Sequence, residues 1–195
     1  MATAPLALGP GTSAQDRASQ PLAAAFGGVA VTMLTGALIA AYLTLRSATG
    51  EWPPEAVEFD NYLGSTLTLT LLLSLPAIEW AVNAIRNGYR GQCRAALGIA
   101  LGLGSAFLLG LWYLADVRIA YDAGAHAYAV ITVAMLTVVA VSSAVALGYL
   151  LLSFSRASGS QITAANPHVL RAAGWYWHFA AAVWVAVWLA IFVTK

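Results

Sequence analysis

Charge is what this chain has least of. Only 9% of its 195 residues are charged, against 61% hydrophobic, where a soluble domain carries roughly 25% charge. The mean hydropathy of +0.77 places it among membrane proteins. A single cysteine, Cys93, excludes an internal disulfide and any CxxC-type metal or redox pair, and reads as a reduced bystander. The three histidines (His126, His168, His178) are scattered, and Met1, Met33 and Met135 form no cluster. Haem needs axial His, Met or Cys and copper needs clustered His or Cys, so a ligand set for either is missing. Also missing are a Gly-rich phosphate loop, a Ser/His/Asp arrangement and a basic-aromatic patch. Catalytic residues, a metal and a nucleic-acid partner are therefore not expected, and whether the isolated chain is an enzyme stays open.

What is abundant is apolar length. A bilayer core of about 30 Å takes about 20 apolar residues of helix. Five segments qualify, at 21–45, 62–85, 95–115, 125–154 and 167–193. None alternates with period two as barrel strands do, so the expected fold class is all-α, a polytopic five-helix membrane domain over 21–195. Residues 1–20, rich in Ala, Gly, Pro and Ser without a basic start or compact cleavage pattern, read as a mobile tail. Ser19 with Pro21, and Asn166 with Pro167, resemble helix starts.

The charges present are sorted by loop. Arg86, Arg90 and Arg94 follow the second segment; Arg156 and Arg171 flank the connection between the fourth and fifth. Glu51, Glu55, Glu58 and Asp60 follow the first, and Asp116 and Asp122 the third. The positive-inside rule puts the arginine loops in the cytoplasm, hence a cytoplasmic N-terminus and a periplasmic or extracellular C-terminus. Small residues recur every four positions at Ala24-Gly28-Thr32-Gly36-Ala40, Gly98-Gly102-Ala106-Gly110 and Ala182-Ala186-Ala190. Such ridges let helix backbones approach closely in lipid.

Two ionisable side chains fall at membrane depth. Glu79 lies seven residues before Arg86, about 10 Å inside the helix end at 1.5 Å per residue. His178 sits in the same half of the bilayer, within Trp175-Tyr176-Trp177-His178-Phe179. A buried polar pair of Glu79 and His178 is expected, either completing a hydrogen-bond network or handling protons. Trp175 and Trp177, like Trp112 and Tyr113, suit an interfacial aromatic belt, and Arg86, Arg90 and Arg94 suit lipid headgroups.

The run from Trp175 to Phe179, with Val183-Trp184 after it, resembles the last-helix signature of subunit III of the haem–copper respiratory oxidases, in the five-helix bacterial form. Tyr42, Arg46 and Glu51-Trp52-Pro53-Pro54 extend the likeness, which covers roughly 23–193. The signature residues are thus Trp52, Pro53, Pro54, Trp177, His178, Phe179 and Trp184. There are departures. Ala30-Val31 stands where the family carries Ser-Glu, 131–143 holds no histidine, and Ala181 replaces the acid after Trp-His-Phe. The Tyr-Glu pair expected late in the third helix is replaced around Tyr113 to Asp116, and Glu79 is not at the family's acid position.

The resemblance implies an accessory subunit of a proton-translocating cytochrome c oxidase in the bacterial cytoplasmic membrane. It would bind no cofactor itself, pack on the catalytic haem–copper subunit I beside other oxidase subunits, hold phospholipid and support proton uptake. Haem and copper would sit in partner subunits. A quinol-oxidase subunit III, a nitric-oxide reductase accessory protein and a small stand-alone transporter are the alternatives; the last predicts an internal repeat and a midplane polar site.

Overall fold

The computed structural model describes residues 14–50, 52–54, 61–119, 126–159, 161–163 and 167–194, with backbone alone for 14–21 and 117–119. Glu51, Glu55, Glu58, Asp60, Asp122 and Asn166 lie outside the described residues. Five helices are present: α1 (Ala14–Ala48), α2 (Asn61–Arg86), α3 (Arg90–Tyr113), α4 (Ala127–Ser158) and α5 (His168–Trp188). A π-helical turn extends α3 over Leu114–Ile119 and another extends α5 over Leu189–Val193. Each of the five is long and apolar enough to cross a membrane. Helix answers the physical demand of lipid, where every backbone N–H and C=O must find its partner within the segment.

The largest boundary difference is at the start. Helix α1 begins at Ala14, so Ser19 and Pro21 lie inside it and not at its start. Its apolar span begins only at Leu22. The preceding polar turns are helical without being hydrophobic, which a bilayer-length criterion does not register. The turn between α2 and α3 is tight for a local reason. Gly88 has φ +80°, a conformation that glycine adopts without steric cost. Its N–H donates to the Ile85 carbonyl at 3.1 Å, and the Tyr89 N–H to that of Ala84 at 2.9 Å. This paired pattern satisfies carbonyls orphaned at the end of α2.

Helices α2 and α3 form an antiparallel hairpin, α4 packs on α3, and α5 lies against α1, α2 and α4. The small-residue ridges only partly account for this packing. In α3 the inward face is Cys93, Ala96, Leu97, Ala100, Gly104, Phe107 and Leu111. A Cβ added at Gly98 or Gly102 would meet nothing within 4 Å, whereas Gly110 abuts Leu67. In α1 Gly28 presses on Phe179, with a Cβ there falling 2.5 Å from the ring, while Gly36 faces open space. In α5 Ala190 is buried, but Ala182 is exposed. Spacing alone does not say which of several four-residue rows faces a neighbour; the bulky partner that needs the room decides it.

Candidate functional site

The aromatic run on α5 divides between two faces. Trp177 and Trp184, two turns apart, are fully buried. The Trp177 indole Nε1–H donates to Ser74 Oγ at 2.8 Å, and Trp184 Nε1–H to Thr68 Oγ1 at 2.9 Å. Both hydroxyls in turn donate to carbonyls of their own helix, Ser74 to Leu71 at 2.5 Å and Thr68 to Gly64 at 2.9 Å. Each indole therefore loses no hydrogen bond on burial, and each hydroxyl acts as donor and acceptor at once. Gly104 makes the room: a Cβ there would stand 2.6 Å from Trp177 Cη2 and 2.7 Å from Leu147 Cδ1. Phe107 meets the Trp184 ring edge-on at 5.3 Å, a favoured aromatic geometry. Trp177 is thus a core residue and not an interfacial anchor, because its only polar atom is satisfied by α2.

The opposite face carries Trp175 and His178. Trp175 is 54% exposed. His178 Nδ1 lies 2.7 Å from the Gly174 carbonyl oxygen; that oxygen can only accept, so Nδ1 carries the hydrogen. Nε2 then faces Glu79 Oε1 at 3.6 Å, beyond hydrogen-bond length. The two expected partners are brought together, yet the expected burial is not found. Their side chains are 41% and 66% exposed, since the α2 residues turned toward the core are Ser74, Ala77, Ile78, Ala81 and Val82. Glu79 faces a surface groove.

That groove runs along α5 beside α2. A cavity of about 410 Å³ is lined by Glu79, Trp175, His178, Phe179 and Ala182. It meets another of about 380 Å³ that shares His178 and Ala182 and reaches Leu189. Above the first lies a polar notch of about 170 Å³ whose walls include Glu79, Arg86, Arg171 and Trp175. Of the three arginines expected at headgroups, Arg86 belongs to this notch, while Arg90 and Arg94 are exposed on the first turns of α3. Among the described residues, no group of three His, Cys, Asp or Glu is placed to hold a metal ion.

At the other end of the bundle, Trp52 stands between Tyr42 of α1 and Tyr128 of α4. The ring centroids are 5.2 and 5.1 Å away, both edge-on. The Trp52-Pro53-Pro54 segment is thereby pinned to two helix ends, with Pro53 in a cis peptide bond. The sequence reading missed Ser74, Thr68 and Tyr128. Only the pairing of tryptophans and hydroxyls across two antiparallel helices, 177 with 74 and 184 with 68, offered a signal for the first two.

No protein-family model matches the chain. Curated proteins do. It is 29% identical over 171 residues to cytochrome c oxidase subunit 3 of Tragelaphus oryx, covering 83% of this chain and 64% of that protein. Against cytochrome c oxidase subunit 3 of Dasypus novemcinctus the identity is 30% over 148 residues, 73% of this chain and 55% of the relative. The chain spans less than two-thirds of the length of either.

Proposed function

Taking the chain as a distant relative of cytochrome c oxidase subunit 3, we propose that it is an accessory subunit III of a terminal oxidase. The observation that carries this reading is that the likeness extends over 83% of the chain. It is therefore not confined to the aromatic run of α5. The role is structural: five helices present a broad apolar surface to a catalytic subunit that holds the haems and copper, with phospholipid filling the clefts between. Oxygen reduction belongs to that partner, because three scattered histidines and one cysteine cannot ligate its metals.

Orientation and proton uptake belong to the same reading. Arg86, Arg90, Arg94, Arg156 and Arg171 gather where α2 and α4 end and α3 and α5 begin, against Arg46 and Arg118 among the described residues toward the opposite end. The charge rule puts the first group in the bacterial cytoplasm. Glu79 and His178 would then open toward the cytoplasmic side, where protons enter.

Co-purification tests the role. A tagged chain extracted in mild detergent from its own membrane should bring down a larger subunit whose visible spectrum shows haem. Recovery as a haem-free monomer under conditions that keep oxidases intact would overturn the reading. Topology is tested separately. Cys93 is buried, so a cysteine placed at Gly88 reports alone. It should stay unlabelled by a membrane-impermeant thiol reagent in intact cells, whereas one at Ala123 should react.

A further inference from the structure

Between Glu79 and His178 two acceptors face each other. The Gly174 carbonyl takes the hydrogen on His178 Nδ1 at 2.7 Å, so in the neutral ring Nε2 has only a lone pair to offer. The atom opposite is a carboxylate oxygen, Glu79 Oε1, at 3.6 Å, and it accepts as well. Such a pair repels unless a positive charge lies between. A shared proton would draw nitrogen and oxygen to about 2.7–2.9 Å. A divalent transition ion sets a longer distance. With zinc about 2.0–2.2 Å from each ligand atom in tetrahedral geometry, two ligand atoms stand about 3.4 Å apart. The observed separation is close to that edge and well beyond the proton-bridged one.

The surroundings supply the other parts of a metal site. A ligating histidine almost always donates its second ring N–H to a carbonyl or carboxylate, which fixes ring and tautomer. Gly174 does this for His178. Imidazole with carboxylate suits zinc, whereas Mg²⁺ and Ca²⁺ take oxygen ligands. The cavity of about 410 Å³ that both residues line leaves room for water to complete the shell. Both side chains are open to it, at 41% and 66% exposure. We propose that Glu79 Oε1 and His178 Nε2 bind one Zn²⁺ ion between α2 and α5, with water in the remaining positions. Two protein ligands are fewer than the three or four of a resident catalytic or structural zinc, so the ion is exchangeable. It clips α2 to α5 when zinc is present and carries no chemistry. Arg86 and Arg171 share the polar notch with Glu79, and their charge opposes a cation there, which weakens the site. The site goes beyond the accessory-subunit reading and does not depend on it.

The test is equilibrium dialysis against radioactive Zn²⁺, on the full chain as purified with whatever partners accompany it. Subtracting the His178→Gln variant isolates this ion from any held elsewhere in the complex. The wild type should bind one Zn²⁺ more than that variant. Glu79→Gln should lose the same ion, each substitution weakening affinity about 100-fold, since even a supporting group costs a metal site 10–100-fold. Glu79→His exchanges one ligand for another and should keep the ion. Arg171→Gln should tighten it, the opposite of what an anion-binding notch would show. His126→Gln and His168→Gln should leave it unchanged. Saturating zinc should also raise the unfolding temperature of the wild type and not that of Glu79→Gln, because an ion bound only by the folded state stabilises it. Unfolding temperatures measured without zinc show that each variant folds. Equal zinc binding by the wild type, His178→Gln and Glu79→Gln would overturn the proposal, leaving an adventitious ion only. Loss of the ion from Glu79→His, or weaker binding by Arg171→Gln, would overturn it too. Haem co-purification with no zinc difference would remove this site and spare the oxidase reading. A zinc difference in a haem-free chain would remove the oxidase reading and spare the site.

Discussion

Trp175 and Trp177 are two residues apart and chemically identical, yet they belong to different parts of the molecule. On the inner face of α5, Trp177 and Trp184 are buried, their N–H groups are satisfied, and Gly104 of α3 makes room for Trp177. On the outer face, Trp175 and His178 border a groove, and His178 Nε2 stands 3.6 Å from Glu79 of α2. A helix rotates about 100° per residue, so positions two apart point nearly oppositely. The inner face holds the bundle together; the outer one lines the groove. A motif five residues long thus serves two faces, and substitutions at neighbouring positions should separate them.

The sharpest contrast is Trp177→Ala against Trp175→Ala. The first leaves a large cavity and strands Ser74, and should cost about 3–5 kcal/mol; the second should cost a small fraction of that. Thermal unfolding in detergent measures both, and equal losses would erase the distinction between the faces. Next in size is overpacking. Gly104→Val should destabilise by about 1–3 kcal/mol, since its side chain would collide with Trp177 and Leu147. Gly102→Val, two positions away with nothing within 4 Å, should shift stability by less than about 0.5 kcal/mol. A similar loss at both would mean that the α3 ridge is occupied after all.

Smaller again are the indole hydrogen bonds. Ser74→Ala and Thr68→Ala each leave a buried N–H without its acceptor. Interhelical bonds of this kind in membranes are worth about 0.5–2 kcal/mol. Trp184→Phe removes donor and acceptor demand together and should compensate part of the Thr68→Ala loss. A double-mutant cycle of Trp184→Phe with Thr68→Ala reads the coupling, and additive effects would show that the bond contributes nothing.

These contrasts show what the residue pattern carried and what it did not. Helix number and span were legible because bilayer thickness imposes a length that composition reveals directly. That a contact of Glu79 with His178 was possible was legible, because depth along antiparallel helices follows from residue counts; whether the two meet was not. The direction of Glu79 was not, since it depends on which α2 residues the α5 tryptophans claim. Gly98, Gly102 and Ala106 kept the spacing of a packing ridge and still face outward, because α3 turns Gly104 and Phe107 toward α5. Trp177 read as an interfacial anchor for the same reason: its partner hydroxyl lies 103 positions away in sequence, and nothing local announces it.

The smallest expected effect falls on His178. With the ring 41% exposed and Nδ1 already bonded within α5, neither His178→Gln nor His178→Leu removes buried packing. Both should alter the stability of the isolated chain by less than about 0.5 kcal/mol. Their consequences should appear at the groove. Leucine takes away the polar group facing Glu79 and should reduce subunit occupancy in the purified complex, while glutamine keeps a polar group there and should preserve it. A proton-handling role makes a different pattern, with normal occupancy in both variants and an equally depressed proton-to-electron ratio. Measuring occupancy and that ratio on the same preparations separates the two. A loss of about 2 kcal/mol from His178→Leu in the isolated chain would defeat both, because it would return the histidine to the inner, load-carrying face of α5.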